Sequence, residues 1–371
     1  MRPTLAVVIC LVTGLAVTQA QLRTDKLTIY FIDTEGGQST LYIGPTGESL
    51  LVDTGNPGNR DLGRIMETLN AAGVRQIDHM WSTHHHGDHV GSLQALAGMV
   101  PIGRFYDHGA PHANDRIVSK VFLDAYDRLS RGKRKVVNPG DRIPMNGLDI
   151  VTVASANRFI RTNLRGGGRP NPACPDTPAK DETSYIDTDN GESAGFVLTY
   201  GRFRTINLGD LTWNGELDLM CPTNRIGTID VYLTSHHGLD RSGSAALVHA
   251  LQPRVAVMNN GTRKGGSPAA FRVLHESPGL EDLWQLHWSH NARLDNTPEI
   301  FVANVDDASI VAGVLTTPTA AGQRGGRGDG AAAASGAHTP AHSIRIEAAS
   351  DGTFVVVNTR TGFRKTYRSR D

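Results

Sequence analysis

The sequence predicts an α/β protein, and three observations carry that prediction. Short β-branched and aromatic runs alternate with segments whose apolar residues recur at helical spacing. The chain has 371 residues, of which 39% are hydrophobic, so it can bury a sizeable core. Four histidines and an aspartate crowd into one turn, "STHHHGDHVGS" (82–92), directly behind a predicted strand.

In chain order, "KLTIYFID", "STLYIG" and "SLLVDTG" read as strands, with "PTG" as a turn between the last two. "RDLGRIMETLNAAG" places Leu62, Ile65, Met66 and Leu69 on one helical face and stops at Gly73. The strand "QIDHMWST" leads into the histidine turn. A helical pattern restarts from Val90 to Leu96, "DRIVSKVFLDAYDRLSRG" is another helix, and "LDIVTVAS" is again a strand. Residues 161–182 are too rich in Gly, Pro and charge for a core element and read as an exposed insertion. The strand pair "GFVLTYG" and "RFRTINLGD" follows. Then come a helix around Leu217, the strand "IDVYLTS", the helix "SAALVHAL" and the strand "RVAVMNN". Residues 316–342 are low-complexity, and 343–371 read as a C-terminal hairpin turning at Asp351-Gly352.

Residues 1–20 combine Arg2, an apolar run from Leu5 to Val17 and small residues before Gln21, the pattern of a secretory signal peptide; the run is too short for a stable membrane span. Cys10 lies inside that run, not at its end, which argues against a lipoprotein. The expected location is therefore periplasmic or secreted. Cys174 and Cys221 remain in the mature chain, and an oxidising compartment allows them to pair. Lys plus Arg and Asp plus Glu both number 37, so no net field steers nucleic acid to the protein, and stable duplex binding is not expected. The stretches "RGGGRP" and "QRGGRGDG" are short and unrepeated and read as flexible loops.

The histidine turn is where chemistry concentrates. His84 and His86 stand two positions apart at a strand end, and Asp88 and His89 follow on the next turn. Two imidazoles can bind one cation while the carboxylate and third imidazole bind a second, about 3.5–4 Å away as in two-metal hydrolases. Such a site needs ligands from distant strands, and "TINLGDL" ends at Asp210 while "VYLTSHHGLD" ends at His236 and His237. A histidine-rich turn alone can be an incidental surface chelator; the distant Asp210 and His236 count against that.

"THHHGDH", with "LLVDTG" before it and "LGD" and "SHHG" after it, resembles the metallo-β-lactamase fold superfamily. Within it the chain is most similar to the hydrolase domain of DNA-uptake competence channel proteins and to secreted phosphorylcholine esterases, over residues 26 to 315. The resemblance implies an αββα four-layer sandwich with two divalent metal ions, Zn or Mn, at one edge. It implies that His84 and His86 hold metal one, Asp88 and His89 hold metal two, and Asp210 bridges. It makes His236 the preferred last ligand, with His237 in reserve, and gives Asp53 a supporting hydrogen bond to a ligand histidine. Many members supply a further histidine to metal one from the segment "TDNGESAGFVL", which has none here. Asn190 or Ser193 then faces the site, and metal one is held less tightly.

The expected reaction is hydrolysis by a hydroxide formed from water between the metals, with Asp88 and Asp210 as the catalytic carboxylates. A small-molecule or cell-envelope phosphoester, such as a phosphodiester, is the expected substrate. The alternatives are a carbonyl substrate (β-lactam, lactone or thioester) and a non-catalytic envelope binding protein. His108 and His112, with Tyr106 and Asp107, are either substrate contacts or an ordinary polar loop. Arg241 and Ser242 either receive a phosphate or form a solvated turn. Trp284 and Trp288 stand four apart and read as core packing before a binding platform, with His287 and His290 as candidate cleft residues. His79 reads as a core or supporting histidine.

Overall fold

The computed structural model describes residues 25–181, 188–291, 295–306 and 341–370. The expected leader at 1–20, residue 182 of the insertion, residues 316–340 of the low-complexity stretch and Asp371 lie outside the described residues. The first half runs β1 (Leu27–Phe31), β2 (Thr40–Ile43), β3 (Ser49–Val52), α1 (Asn59–Ala71), β4 (Ile77–Trp81), α2 (Gly87–Val90), α3 (Leu93–Ala97), β5 (Ile102–Asp107), α4 (Lys120–Ser130) and β6 (Arg134–Val136). There follow β7 (Arg142–Ile143), β8 (Asp149–Ser155), β9 (Arg158–Phe159), β10 (Arg169–Pro170), β11 (Gly195–Tyr200), β12 (Phe203–Asn207), α5 (Trp213–Met220), β13 (Thr223–Asn224), β14 (Val231–Leu233), α6 (Ala245–Leu251), β15 (Val255–Met258), α7 (Pro268–His275), β16 (Asp282–His287) and β17 (Val302–Asn304). The chain closes with β18 (Ile344–Ala348), β19 (Thr353–Asn358) and β20 (Arg364–Arg368).

Two mixed sheets result. One has the order β20-β19-β18-β1-β2-β3-β4-β5-β6, the other β17-β16-β15-β14-β12-β11-β8-β7 with β9 beside β8. Strand alternation assigns side chains to layers. Leu27, Ile29, Phe31, Tyr42, Leu50, Val52 and Trp81 meet Phe196, Leu198, Val231, Leu233, Val257 and Trp284 between the sheets. The outer face of the first sheet packs Leu41, Leu51 and Met80 against Ile65 and Leu69 of α1, Leu93 and Leu96 of α3 and Tyr126 of α4. The outer face of the second packs Val197, Ile206 and Ala256 against Leu219 of α5, Leu247 of α6 and Phe271 of α7. These are the αββα layers, and strands covered on both faces explain the near-continuous apolar runs of "LLV" and "VAVM".

The C-terminal segment has three strands, not two, and is no separate unit. β18 pairs antiparallel with β1, from Leu27 opposite Ala348 to Phe31 opposite Ile344, and extends the first sheet. Residues 161–181 are mostly exposed, yet β10 pairs with β13 and Cys174 is bonded to Cys221. "LWQLH" is strand β16 and not a helical face, so Trp284 enters the inter-sheet core by strand alternation, its Nε1 donating to Tyr367 Oη (3.1 Å). Among the described residues, no helix is long and apolar enough to cross a membrane.

Candidate metal centre

β4 delivers the histidine turn to the edge where the two sheets meet. Beyond Trp81 the chain is tied to β11: Trp81 Nε1 donates to the Ala194 carbonyl (3.0 Å), and Ala194 N to the Thr83 carbonyl (2.8 Å). Asp53, at the end of β3 in a left-handed conformation (φ 59°), accepts from Thr83 N (2.8 Å), Thr83 Oγ1 (2.7 Å), Gln38 Nε2 (2.9 Å) and His89 Nδ1 (2.8 Å). The Thr83 hydroxyl spends its one proton on Asp53, so it accepts from His84 Nδ1 at 3.1 Å. Both imidazoles thus have Nδ1 engaged as donor, and Nε2 of His84 and of His89 is buried and without a partner. The local wiring aims both Nε2 atoms at a common space.

Asp210 enters that space from the loop behind β12. The turn is possible because residue 209 is glycine: its φ is 57°, and a Cβ there would meet Thr83 Cβ at 2.6 Å. Asp210 Oδ1 lies 3.3 Å from His89 Nε2, and Oδ2 lies 3.4 Å from both His236 Nε2 and His237 Nε2 and 4.0 Å from His84 Nε2. Asp88 Oδ2 is 3.5 Å from His237 Nε2 and 3.7 Å from His89 Nε2. Asp88, His89, Asp210 and His237 therefore form one four-ligand group. This corrects the expectation that His236 is its last member. Both histidines have left-handed backbones (His236 φ 53°, ψ 42°; His237 φ 57°, ψ 18°), which turn the second ring, not the first, toward Asp88.

Burial alone would neutralise both carboxylates. Lys264, His89 and His237 hold Asp88 well below the usual carboxylate range, and His237, His89 and His236 do the same for Asp210. Burial pushes His84 well down and His236 to about 4, so both are neutral ligands at pH 7. Burial opposes a proton on His89, but Asp210, Asp53 and Asp88 raise it well above the ordinary value.

A second buried network stands behind the first. Asp189 accepts from His85 N (2.7 Å) and His112 N (2.8 Å), and its Oδ2 lies 3.2 Å from both His85 Nδ1 and His108 Nε2. His85 therefore turns away from His84 and His86, as its position in an extended stretch requires. His108, only 2% exposed, packs against Asp189 and Glu192 and is not open to a substrate; its burial corrects the contact reading. The half-buried His112 serves Asp189 through its backbone. Asp189 N donates to Asp115 Oδ2 (2.6 Å), which also lies 2.7 Å from His86 Nε2, so Nδ1 is the nitrogen of His86 left for a metal.

Other expectations separate in the same way. Asn190 reaches the centre, its Nδ2 3.5 Å from His236 Nε2, whereas Ser193 Oγ accepts from Asp210 N (3.2 Å) and supports the backbone. Ser242 is buried, donates to the Leu211 carbonyl (2.7 Å) and faces His236 Nδ1 (3.3 Å), so it does not receive a phosphate. His287 is sealed in a pair with Asp33 (2.5 Å), which Arg64 also engages (2.7 Å), and lines no cleft. His79 packs on Tyr106 (Nδ1 to Oη 3.2 Å).

Sequence reasoning missed Asp115, Asp189 and Lys264. Lys264, from the loop between β15 and α7, pairs with Asp88 Oδ2 and is 42% exposed. Its one legible signal was a basic pair flanked by glycines, "TRKGG", behind a strand end.

Nearby, Glu216 of α5 accepts from Gly243 N (2.8 Å) and Ser244 N (2.7 Å) in the loop that carries Ser242. Burial pushes its carboxyl from 4.5 up to about 7. A folded-state value above the unfolded one makes its stabilisation complete below about pH 4.5 and lost as pH rises through about 7, on the order of 3 kcal/mol. Glu216→Gln is expected to flatten that part of the stability profile, measured by urea unfolding at pH 5 and pH 8.

The donors suit a divalent cation. The partnerless buried atoms include His84 Nε2, His89 Nε2, His237 Nε2 and Asp210 Oδ1, and separations of 3.3–3.7 Å among Asp88, His89, Asp210 and His237 suit ligands about 2.0–2.2 Å from one ion. Asp53→Ala frees His89 and Thr83 together and is expected to weaken metal binding about 10–100-fold, read by competition with a chromophoric chelator.

A sequence profile of the Metallo-beta-lactamase superfamily matches residues 33–152. Competence protein ComA of Neisseria gonorrhoeae is 28% identical over 229 residues, 62% of this chain, and the chain spans only 26% of that protein's length. A UPF0173 metal-dependent hydrolase of Cupriavidus necator is 25% identical over 64% of this chain and 76% of its own. Ribonuclease Z of Methanopyrus kandleri is 28% identical over 43% of this chain and 55% of its own. The profile covers the strand that delivers the histidine turn, and Asp210 and His237 close the centre from beyond it; residues 33–152 thus match a metallo-beta-lactamase superfamily domain, and a metal-dependent hydrolase is among the proteins to which the chain is similar.

Proposed function

We propose that this chain is an exported hydrolase of phosphodiesters or related phosphoesters that works with two divalent metal ions, Zn or Mn. The observation that carries the reading is Lys264, a cation reaching the buried carboxylate of Asp88 from the solvent side, where an anionic substrate would arrive. The name of one relative, a ribonuclease, supports the phosphoester class, as does the resemblance of the sequence to DNA-uptake competence proteins. The N-terminal pattern and the Cys174–Cys221 bond support export, which favours a small or cell-envelope substrate.

Bound metals supply Lewis acidity and acidify water towards neutral pH. The chain's own residues do the rest. His84, His86, Asp88, His89, Asp210 and the histidine pair hold the ions. Asp88 and Asp210 bring negative charge that offsets two dications. Lys264, a flexible point charge, meets the phosphate. No serine or cysteine nucleophile is needed.

The test is metal content by mass spectrometry together with turnover of bis(p-nitrophenyl) phosphate, p-nitrophenyl phosphorylcholine and nitrocefin, for the wild type and Asp88→Ala. Two ions and phosphoester turnover lost in the variant support the proposal. Turnover of nitrocefin alone moves the substrate to the carbonyl class, and neither metal nor turnover leaves a binding protein on a hydrolase fold. Lys264→Ala is expected to lower kcat/KM for the phosphodiester roughly 10–100-fold, the worth of one charge-assisted hydrogen bond, while metal content stays the same.

A further inference from the structure

We propose that the adjacent histidines divide between the two metal positions. His237 completes the position of Asp88, His89 and Asp210, and His236 supplies the third imidazole to His84 and His86, replacing the histidine absent from the segment around Asn190. The inference rests on the two-metal reading above.

Occupancy comes first. Asp88, His89, Asp210 and His237 already make a four-ligand set, and His236 is not in it. His236 nevertheless aims Nε2 at the centre, 3.4 Å from Asp210 Oδ2, the oxygen that also faces His84 Nε2 at 4.0 Å. The Asn190 amide nitrogen lies 3.5 Å from the same Nε2, and its Oδ1 is buried without a hydrogen-bond partner. His236 therefore faces the gap that the missing histidine leaves.

The wiring of the ring agrees. Ser242 Oγ gives its proton to the Leu211 carbonyl (2.7 Å), so it accepts from His236 Nδ1 (3.3 Å) and leaves the Nε2 lone pair for a metal. This is the arrangement Thr83 imposes on His84. The backbone agrees as well. Two successive left-handed residues, costly for any side chain but glycine, set neighbouring rings 6.1 Å apart at 71°. Each ring keeps Nε2 at 3.4 Å from the same Asp210 oxygen, so this backbone brings both imidazoles to the centre.

The experiment is metal stoichiometry by mass spectrometry after loading with Mn2+ and removal of excess, supported by the visible spectrum of the Co2+ form. It compares the wild type, His236→Ala, His237→Ala and the double variant Asn190→His/His236→Ala. Circular dichroism and the thermal midpoint of each metal-free variant establish that it folds; His236→Gln stands in if the alanine variant does not. The expected result is two ions for the wild type and one for His236→Ala, with the second regained when Asn190→His returns an imidazole beside the same position. Two ions retained by His236→Ala at wild-type affinity, or no recovery in the double variant, overturns the division. A wild type that binds no ion removes the metal reading itself, a result distinct from either.

Discussion

Asp210→Ala is expected to abolish binding at both proposed metal positions and lower hydrolysis by roughly 10³-fold or more, because the ions that Asp210 would help hold would supply the acidity that brings water towards neutral pH. Its two oxygens lie 3.3 to 4.0 Å from four of the proposed ligands, His89, His236, His237 and His84. Removing it leaves four imidazoles around a space with only Asp88 to offset cationic charge. Asp210→Asn keeps the shape but not the charge and is expected to fail nearly as badly. Mass spectrometry of metal content beside kcat/KM checks both, and an alanine variant that keeps two ions and most of its activity would refute the assignment of Asp210 as the bridge.

Reduction of Cys174–Cys221, or its replacement by serine, is expected to lower unfolding free energy by about 4 kcal/mol, the loop-closure value for the 47-residue separation. The bond ties the exposed insertion to the chain between α5 and β13. Beside it Asn171 Nδ2 donates to the carbonyls of Met220 (3.2 Å) and Ala246 (2.8 Å). That anchors the insertion on α5 and α6, the helices that flank the loop bearing Ser242. Urea unfolding with and without dithiothreitol measures the effect, and coincident midpoints would refute it. Loss of the bond is expected to cost stability first and metal content little, because the ligands themselves hang from β4, β12 and β14 in the two central sheets.

Much of the fold was legible because both sheets are covered on both faces, and buried strands advertise themselves as apolar, β-branched runs. The exceptions have specific causes. "IGRFYD" became β5 although its tail looks like a polar loop, because Asp107 is neutralised by Arg134 at 2.7 Å and by the Tyr126 hydroxyl at 2.9 Å, partners that come from α4 and β6. "DLWQLH" has aromatics at helical spacing, but its place between β15 and β17 makes it a strand. The terminal hairpin acquired a third strand and a home beside β1, a pairing across more than 300 residues that no local pattern announces.

The centre divides along the same line. His84, His86, Asp88 and His89 were readable together because a strand end followed by a tight turn sets their directions within six residues. Asp210 was readable because it too sits just past a strand end. By itself, then, the sequence determined which side chains have the chemistry and in what order they come. Only the tertiary structure decided which of His236 and His237 turns towards Asp88, that His108 is walled in by Asp189, that Asp115 holds His86, and that Lys264 arrives from 176 residues away. The reason is one of range: spacing along an element fixes where side chains point relative to that element, whereas the distance between atoms on separate elements is set by how the layers pack.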